Sequence, residues 1–553
     1  MKNKYISFLL LITMAGSVSC KKVLDVTPYT AFTDATVYST PDRIELAVVG
    51  VYDAAQSGFY PEGLAARGYP FGAANIQQDD LRGEDVINME SFYQITYNNT
   101  YTSASPNCYN MWNNCYALIN KANVVMAGVA GAVANKVITE AAGNAYLGEC
   151  RFLRAMAMHQ LLIDFALPYA DGNGDSLGVI IRDFAIQDDA SIEKAGAVGR
   201  SSVATCYAFV ESDLAFAAAN LPETRSSFVS NRATKAAAIA LQMRVLLHEG
   251  KWAQVLTTGN SIVSGSGTSF SSPIGGWKLT ASSDGPFADN ASTESIFSVE
   301  NTSTDNGSVS GGLQSMFGSN GTAIGARGLI GISPILWNLA QWDMTDLRRA
   351  NITTNFTDNN PATAPSGKKP MYFTNKYRES GWGDDAPQIR YAEVLLMMAE
   401  AYARANNTVD ITALNYLNAV RNRAVTTAEK QYTLGSFASA QAFIIAVLAE
   451  RRIEFLGEGK RWSDIHRLAL DPLYNNYRLS GNTSAVKGGI PAKVLASVIS
   501  TTNFTTLYSG TTAYAAIVKG TLALDYGDYR FIWPVPATEV STSNGVIKQN
   551  PFY

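Results

Sequence analysis

Glu450-Arg-Arg-Ile-Glu-Phe-Leu-Gly-Glu-Gly-Lys-Arg-Trp-Ser-Asp464 is the densest run of charge in the chain, and it begins inside the apolar, periodic segment Gln441–Leu456. Two readings compete for it. Glu450, Glu454 and Asp464, with His466 close by, offer the paired carboxylates and imidazole that acid–base chemistry uses. The same residues also suit a helix end, with Glu and Arg side chains pairing across turns and Gly457 and Gly459 stopping the helix. The second reading is favoured, because ion-pair networks occur in scaffolds as well as in catalytic sites.

Working outward from this block, helical periodicity recurs at Tyr109–Met126, Thr139–Phe165, Val203–Ala219, Arg232–His248, Ile389–Ala405, Ile411–Arg423 and Gln441–Leu456. Consecutive segments pair as helix–turn–helix, 109–126 with 139–165 and 411–423 with 441–456. Such recurrence predicts a mainly α fold built on tetratricopeptide-like helix pairs. Two stretches break the pattern. Ser264–Thr374 is rich in Gly, Ser, Asn and Thr with short strand-like pieces, and Ser480–Tyr529 is similarly irregular; long irregular stretches of this kind usually carry function. The expected organisation is one body over 20–553, with a helical scaffold over about 30–263 and 385–470, a loop-rich insertion over about 264–384 and a closing segment over about 480–553.

Composition narrows the function. The 553 residues carry 43 Lys+Arg against 47 Asp+Glu, which excludes the basic excess of a nucleic-acid footprint. Charged residues make up 16%, below the usual value of about 25%, while 27 Tyr and 23 Phe accompany many small polar residues. That balance suits uncharged, hydroxyl-rich partners. His159, His248 and His466 are scattered and form no HExxH pattern, so structural roles are expected for them. Asp79-Asp80 and Glu84-Asp85 lack the alternating acidic pattern of a calcium loop, and Gly-rich 306–331 lacks a P-loop Lys. No catalytic residue, metal or cofactor is assigned.

Lys2 and Lys4 precede an apolar run from Ile6 to Ala15, followed by Gly16, Ser17, Ser19 and Cys20. This reads as a signal peptide over 1–19 with Cys20 in a lipobox, acylated to become the mature N-terminus. Removal of the leader takes two basic residues and makes the mature chain more acidic. No later stretch is expected to span a membrane, so attachment is through the lipid. Cys108, Cys115, Cys150 and Cys206 match no zinc or CxxC spacing and fall in helix-like segments, as buried thiols or a disulfide.

Several further blocks occur in order: Leu24-Asp-Val-Thr-Pro28; Trp112 and Tyr116 with Ile119-Asn-Lys-Ala-Asn123; Glu149-Cys-Arg-Phe-Leu-Arg-Ala155; Ile389-Arg-Tyr-Ala-Glu-Val-Leu-Leu396 with Ala399-Glu-Ala401; Leu417-Asn-Ala-Val-Arg-Asn-Arg-Ala424; the 450–464 block; Trp533-Pro-Val-Pro536; and Gln549-Asn-Pro-Phe-Tyr553. Together they resemble the SusD/RagB family of Bacteroidetes outer-membrane lipoproteins. The resemblance implies a SusD-like fold and a non-enzymatic role on the outer face of the outer membrane. Family members bind glycans, or in some cases peptides, and act as a lid on a SusC-like TonB-dependent transporter. It also implies that the segment before the first long helix helps to form the ligand pocket. Alternatives are a surface glycoside hydrolase using Glu454 or Asp464, and a peptide-capture or adaptor protein of helical-repeat type.

A glycan platform needs aromatic rings for stacking and polar groups for the hydroxyl rim. Trp112, Trp252 and Trp462 sit at helical positions and are expected in the core, and Trp337, Trp342 and Trp533 in framework. Trp277 and Trp382 lie in the glycine-bearing loops Gly275-Gly276-Trp277 and Gly381-Trp382-Gly383 and are candidate platforms. A second candidate patch holds Asp79, Asp80, Arg82, Phe92, Tyr93 and Tyr97 with Asn98 and Asn99. Met316, Phe317 and Arg327 occupy the other region that the resemblance places at the pocket. For the anchor, Cys20→Ala is expected to abolish labelled palmitate incorporation and to release the protein from the membrane fraction; continued labelling would rule Cys20 out.

Overall fold

Polar caps set where the helices begin. The side chains of Thr139, Ser202, Thr234 and Ser439 accept from the N–H groups of Ala142, Thr205, Ala237 and Ala442, and Asp410 accepts from Thr412 and Ala413. Each supplies an acceptor to amides that a helix leaves unpaired at its start. Pro41 and Pro106 occupy first turns, where a missing N–H costs nothing.

The structure, a computed structural model, describes residues 34–58, 67–227, 229–320, 325–473 and 488–553. The expected leader at 1–19 and Cys20 lie outside the described residues. The principal helices are α1 (Pro41–Gln56), α2 (Ala74–Arg82), α3 (Pro106–Ala134), α4 (Glu140–Phe165), α5 (Val203–Asn220), α6 (Lys235–His248), α7 (Trp252–Gly259), α8 (Tyr391–Asn406), α9 (Ile411–Arg421), α10 (Ala440–Glu454) and α11 (Lys460–Arg467). The fold is mainly α, as expected. Successive helices pack as neighbours from α1 on α3, through α4, α5 and α6, to α7. The series then continues from α7 onto α8, so the irregular chain from 264 to 385 is inserted between two helices that touch.

Two details differ from the sequence reading. The expected partnership of 411–423 with 441–456 is minor, because α9 and α10 both pack chiefly on α8. Every residue of α8 from Tyr391 to Ala401 is buried, and a helix apolar on all sides takes neighbours on several of them. Helix α3 also runs eight residues beyond Met126 through a Val-, Ala- and Gly-rich stretch. By length and composition it is apolar enough to cross a membrane, contrary to expectation. Here it packs on α1 and α4 instead.

Strands are short and pair antiparallel. Val86–Asn88 (β1) pairs with Ile330–Ile332 (β7), tying the N-terminal segment to the insertion. Ser295–Val299 (β6) pairs with Ala386–Arg390 (β10), so the two ends of the insertion's long central part meet at the start of α8. Leu177–Ile180 (β2) with Arg200–Ser202 (β3), Ser264–Ser266 (β4) with Ser269–Ser271 (β5), and Ile352–Thr354 (β8) with Tyr372–Thr374 (β9) complete the pairs among the described residues.

The 450–464 block lies where these pieces converge. Arg390 is 2% exposed and reaches Glu458 at 2.7 Å, Glu454 at 3.2 Å and Glu294. Glu454 also takes Arg348 at 3.0 Å and Arg423 at 3.1 Å, while Glu450 takes Arg348 at 2.5 Å and Arg421 at 3.1 Å. Arg452 pairs with Asp85, Arg461 with Glu84 at 2.6 Å, and Arg451 with Asp464 at 2.8 Å. Gly459 makes the tight connection at the start of α11: its φ is +70°, and a Cβ there would stand 2.6 Å from the Ile76 Cα of α2. Beneath it, Trp462 is fully buried, donates to the Ile163 carbonyl at 2.9 Å and carries the Arg82 guanidinium 3.4 Å above its ring.

Cys108, Cys115, Cys150 and Cys206 are all buried free thiols. Burial pushes the Cys206 thiol up to about 11. The three histidines are buried as well. His159 and His248 meet edge to face at 4.7 Å, and burial lowers His159 to about 3 and His466 to about 4, which keeps these two rings neutral.

Burial by itself would raise the Glu454 carboxyl, but Arg423, Arg390 and Arg348 outweigh it and hold the group at about 2. Its folded pKa therefore lies below the unfolded one. The stability it contributes is present above the unfolded pKa near 4.5 and is lost as pH falls toward 2. Removing the carboxylate leaves three buried guanidiniums short of a partner. Glu454→Ala is expected to cost about 3–5 kcal/mol in urea unfolding at neutral pH, and much less at pH 2; an unchanged urea midpoint at pH 7 would contradict this.

Candidate functional site

Most of the sequence-predicted contact residues turn out to be framework. Arg82 has no exposed surface; it pairs with Asp164 at 2.9 Å and donates to the Phe531 carbonyl at 2.8 Å. Asp80 is 3% exposed, and burial together with Asp85 raises its carboxyl well above the ordinary range. Asp79 is buried beside Gln160. The reason is shared: α2 is buried along its whole length, packed on α11. Tyr97 is buried and donates to the Val494 carbonyl at 2.6 Å. Phe317 and Met316 are each 1% exposed, with the Phe317 ring against Tyr377. Trp277 is 4% exposed, because Gly275 and Gly276, with φ of +78° and +72°, turn the loop back and lay the indole in the main core. None of these presents a ring or a charge to a ligand.

Two of the named aromatics, Trp382 and Phe92, lie at the edge of the surface. Trp382 is half-buried with φ +64°, in the left-handed region that bulky residues rarely adopt. Its Nε1 points to the Gly325 carbonyl at 3.4 Å. Asn306 donates to the Gly381 carbonyl at 2.9 Å, tying the 380–383 turn to the 302–306 loop. Asp384 closes that turn from below: its two carboxylate oxygens accept from the N–H groups of Arg378 at 2.9 Å and Glu379 at 3.0 Å. Burial pushes Asp384 up to about 7 against the pull of those two donors. Next to it, Asp385 accepts from the Asn301 N–H at 3.0 Å and from Asn231 at 2.7 Å.

Phe92 is half-buried; the predicted contact Tyr93, at φ +59°, is itself buried at 6% exposed and packs its ring into the core 4.4 Å from that of Phe92. The guanidiniums of Arg67 and Arg327 stand 5.6 and 5.9 Å from the Phe92 centroid. Neither arginine forms an ion pair among the described residues.

Two consecutive glycines join the aromatic groups. A Cβ on Gly311 would lie 2.6 Å from the Arg67 backbone carbon, and one on Gly312 would lie 2.6 Å from the Trp382 Cβ. The chain at Gly311-Gly312 is thus pressed between the Arg67 segment and the Trp382 turn, which side chains would hold apart. Arg327 fastens the same loop through its N–H to the Ser315 carbonyl at 2.9 Å and its Nη1 to the Val309 carbonyl. The result is one loop surface with two half-exposed rings and two cationic donors. The segment from Arg67 to Tyr101 was expected at the binding surface; sequence reasoning did not single out Gly311, Gly312 or Asp384, although the Gly311-Gly312 doublet was a visible cue for close backbone approach.

A model described as SusD family matches residues 335–553, and one described as "Starch-binding associating with outer membrane" matches residues 23–247. The chain belongs to the SusD family. Its family description links this SusD-family chain to the outer membrane. It is similar to SusD-like protein P25 of Formosa agariphila, with 24% identity covering 81% of this chain and 87% of that protein. Among solved structures, a SusD superfamily protein from Bacteroides fragilis shares the fold at TM-score 0.69 and 24% identity, covering 92% of this chain and 99% of that one. Surface glycan-binding protein A from Bacteroides thetaiotaomicron, solved in complex with laminarihexaose, shares it at TM-score 0.64 and 18% identity, covering 92% of this chain and 99% of that one. The segment between the two matched regions of this SusD-family chain holds Gly311, Gly312 and Arg327, while Arg67, Phe92, Trp382 and Asp384 lie within them.

Asp384 predicts a measurable local effect. Losing two hydrogen bonds to a buried carboxyl costs about 1.5–3 kcal/mol per charged bond. Asp384→Ala is expected to speed amide exchange over residues 378–384 and to shift Trp382 emission to the red. Unchanged exchange there would show that the turn is held by other contacts.

Proposed function

We propose that this protein is a non-catalytic lipoprotein of the outer membrane, anchored through Cys20 and facing the cell exterior, that captures an oligosaccharide. It passes the ligand to a SusC-like TonB-dependent transporter. The observation that carries the reading is the half-exposed pair Trp382 and Phe92, presented on one loop surface beside guanidinium donors. Sugar rings offer an apolar C–H face to such aromatics and hydroxyls to the donors around them. The likeness to a surface glycan-binding protein solved with laminarihexaose supports the same reading.

The hydrolase alternative loses its candidate residues. Glu454 is 2% exposed and bound by three arginines, and Asp464 is held by Arg451 and Arg467. Neither carboxylate has a face toward solvent from which to protonate a leaving group.

Affinity electrophoresis against a polysaccharide panel that includes laminarin is expected to show retardation without new reducing ends. Trp382→Ala and Phe92→Ala should each weaken binding by about fivefold or more, from the roughly 1 kcal/mol of an aromatic contact. Wild-type affinity in both variants would place the ligand elsewhere on the molecule. Release of reducing ends would refute the non-catalytic reading.

A further inference from the structure

A separate cavity of ≈ 150 Å³ opens beside the C-terminal half of α1, between that helix and the chain leaving β6. It is far roomier than one water, whose share of liquid volume is about 30 Å³. Its floor is Gln56, 5% exposed. The Gln56 amide nitrogen is used, donating to the Asp305 carbonyl at 3.0 Å and to Asn301 at 3.3 Å. Its Oε1 is buried and has no hydrogen-bond partner among the described residues. A buried acceptor of this kind is costly unless a donor reaches it.

The charge around this acceptor has one dominant sign. Asp53, Glu300 and Asp305 line the cavity, and none of the three forms an ion pair among the described residues. Burial and the Asp305 charge both raise the Glu300 carboxyl, the mark of an anion lacking a counter-charge. The cation at the wall, Arg232, is already engaged with Glu149 at 2.6 and 2.7 Å and with Glu45. Tyr52 spends its hydroxyl on Glu149 at 2.6 Å and gives the cavity its ring. The acidic groups do not converge as metal ligands: no cluster able to hold a metal ion occurs among the described residues.

We propose that this cavity is a binding site for a primary ammonium group, carried by an amino sugar or by a lysine side chain. Three N–H donors on one compact cation match the Gln56 Oε1 and the carboxylates. The site shares the 302–306 loop with the Trp382 turn, but the proposal does not rest on the glycan reading.

Isothermal titration calorimetry on the full mature chain tests it, with glucosamine and Nα-acetyl-lysine methylamide as probes. Glucose, N-acetylglucosamine and Nα-acetyl-norleucine methylamide are the uncharged controls. At least one ammonium probe is expected to bind ten times or more tighter than its control, and which one binds identifies the source of the group. Glu300→Gln and Asp305→Asn, both on exposed positions, should each weaken that binding threefold or more while leaving the urea midpoint unchanged. No binding by either probe, equal binding by the uncharged controls, or undiminished binding in both variants would overturn the proposal.

Discussion

The Glu454 carboxylate is shared by Arg348 from the insertion, Arg390 at the mouth of α8 and Arg423 just past α9. Four parts of the chain, distant in sequence, must therefore be in place before the Glu454 carboxylate has its full set of partners. Desolvating so many ions is expensive, and a half-formed cluster would be worse than none. The network consequently acts less as added stability than as a test of correct assembly. It fixes how the insertion seats on the helical array, and the pairs Arg452–Asp85 and Arg461–Glu84 fix the N-terminal segment to the same point.

From that anchor the two layers of the molecule acquire different freedom. Helices α3 to α8 hold one another through broad apolar faces, and substitution there is felt at once. The loop surface is attached by fewer and more local devices: the Asp384 carboxyl under one turn, the Asn306 amide beside it, and the close approach at Gly311-Gly312. A ring can be exchanged on such a surface without disturbing the charge network beneath. The architecture separates a charge network that must stay constant from a loop surface that can vary.

The helical part was legible because its signals are local. Period 3.6 over Thr139–Phe165 and Val203–Ala219 located helices to within a residue or two. The 450–464 block is framework, as expected, but its glutamates do not pair across turns: Glu450 and Glu454 take Arg348, Arg390, Arg421 and Arg423, and Arg452 and Arg461 take Asp85 and Glu84, all from distant segments. The site was much less legible. Asp80 and Arg82 looked like polar loop residues, but α2 is covered on all sides by α11 and its neighbours, which no feature of 74–82 discloses. Trp277 and Trp382 stand in almost identical glycine contexts, yet one loop folds inward and the other outward. That choice is made by distant partners, the core on one side and Gly312 and Gly325 on the other.

The four buried thiols bear on how the molecule matures. Each lies in a helix packed against others, with no second sulfur bonded to it. The described fold is thus complete without any covalent cross-link, and its assembly does not depend on a supply of oxidant. Reducing and oxidising surroundings would yield the same architecture.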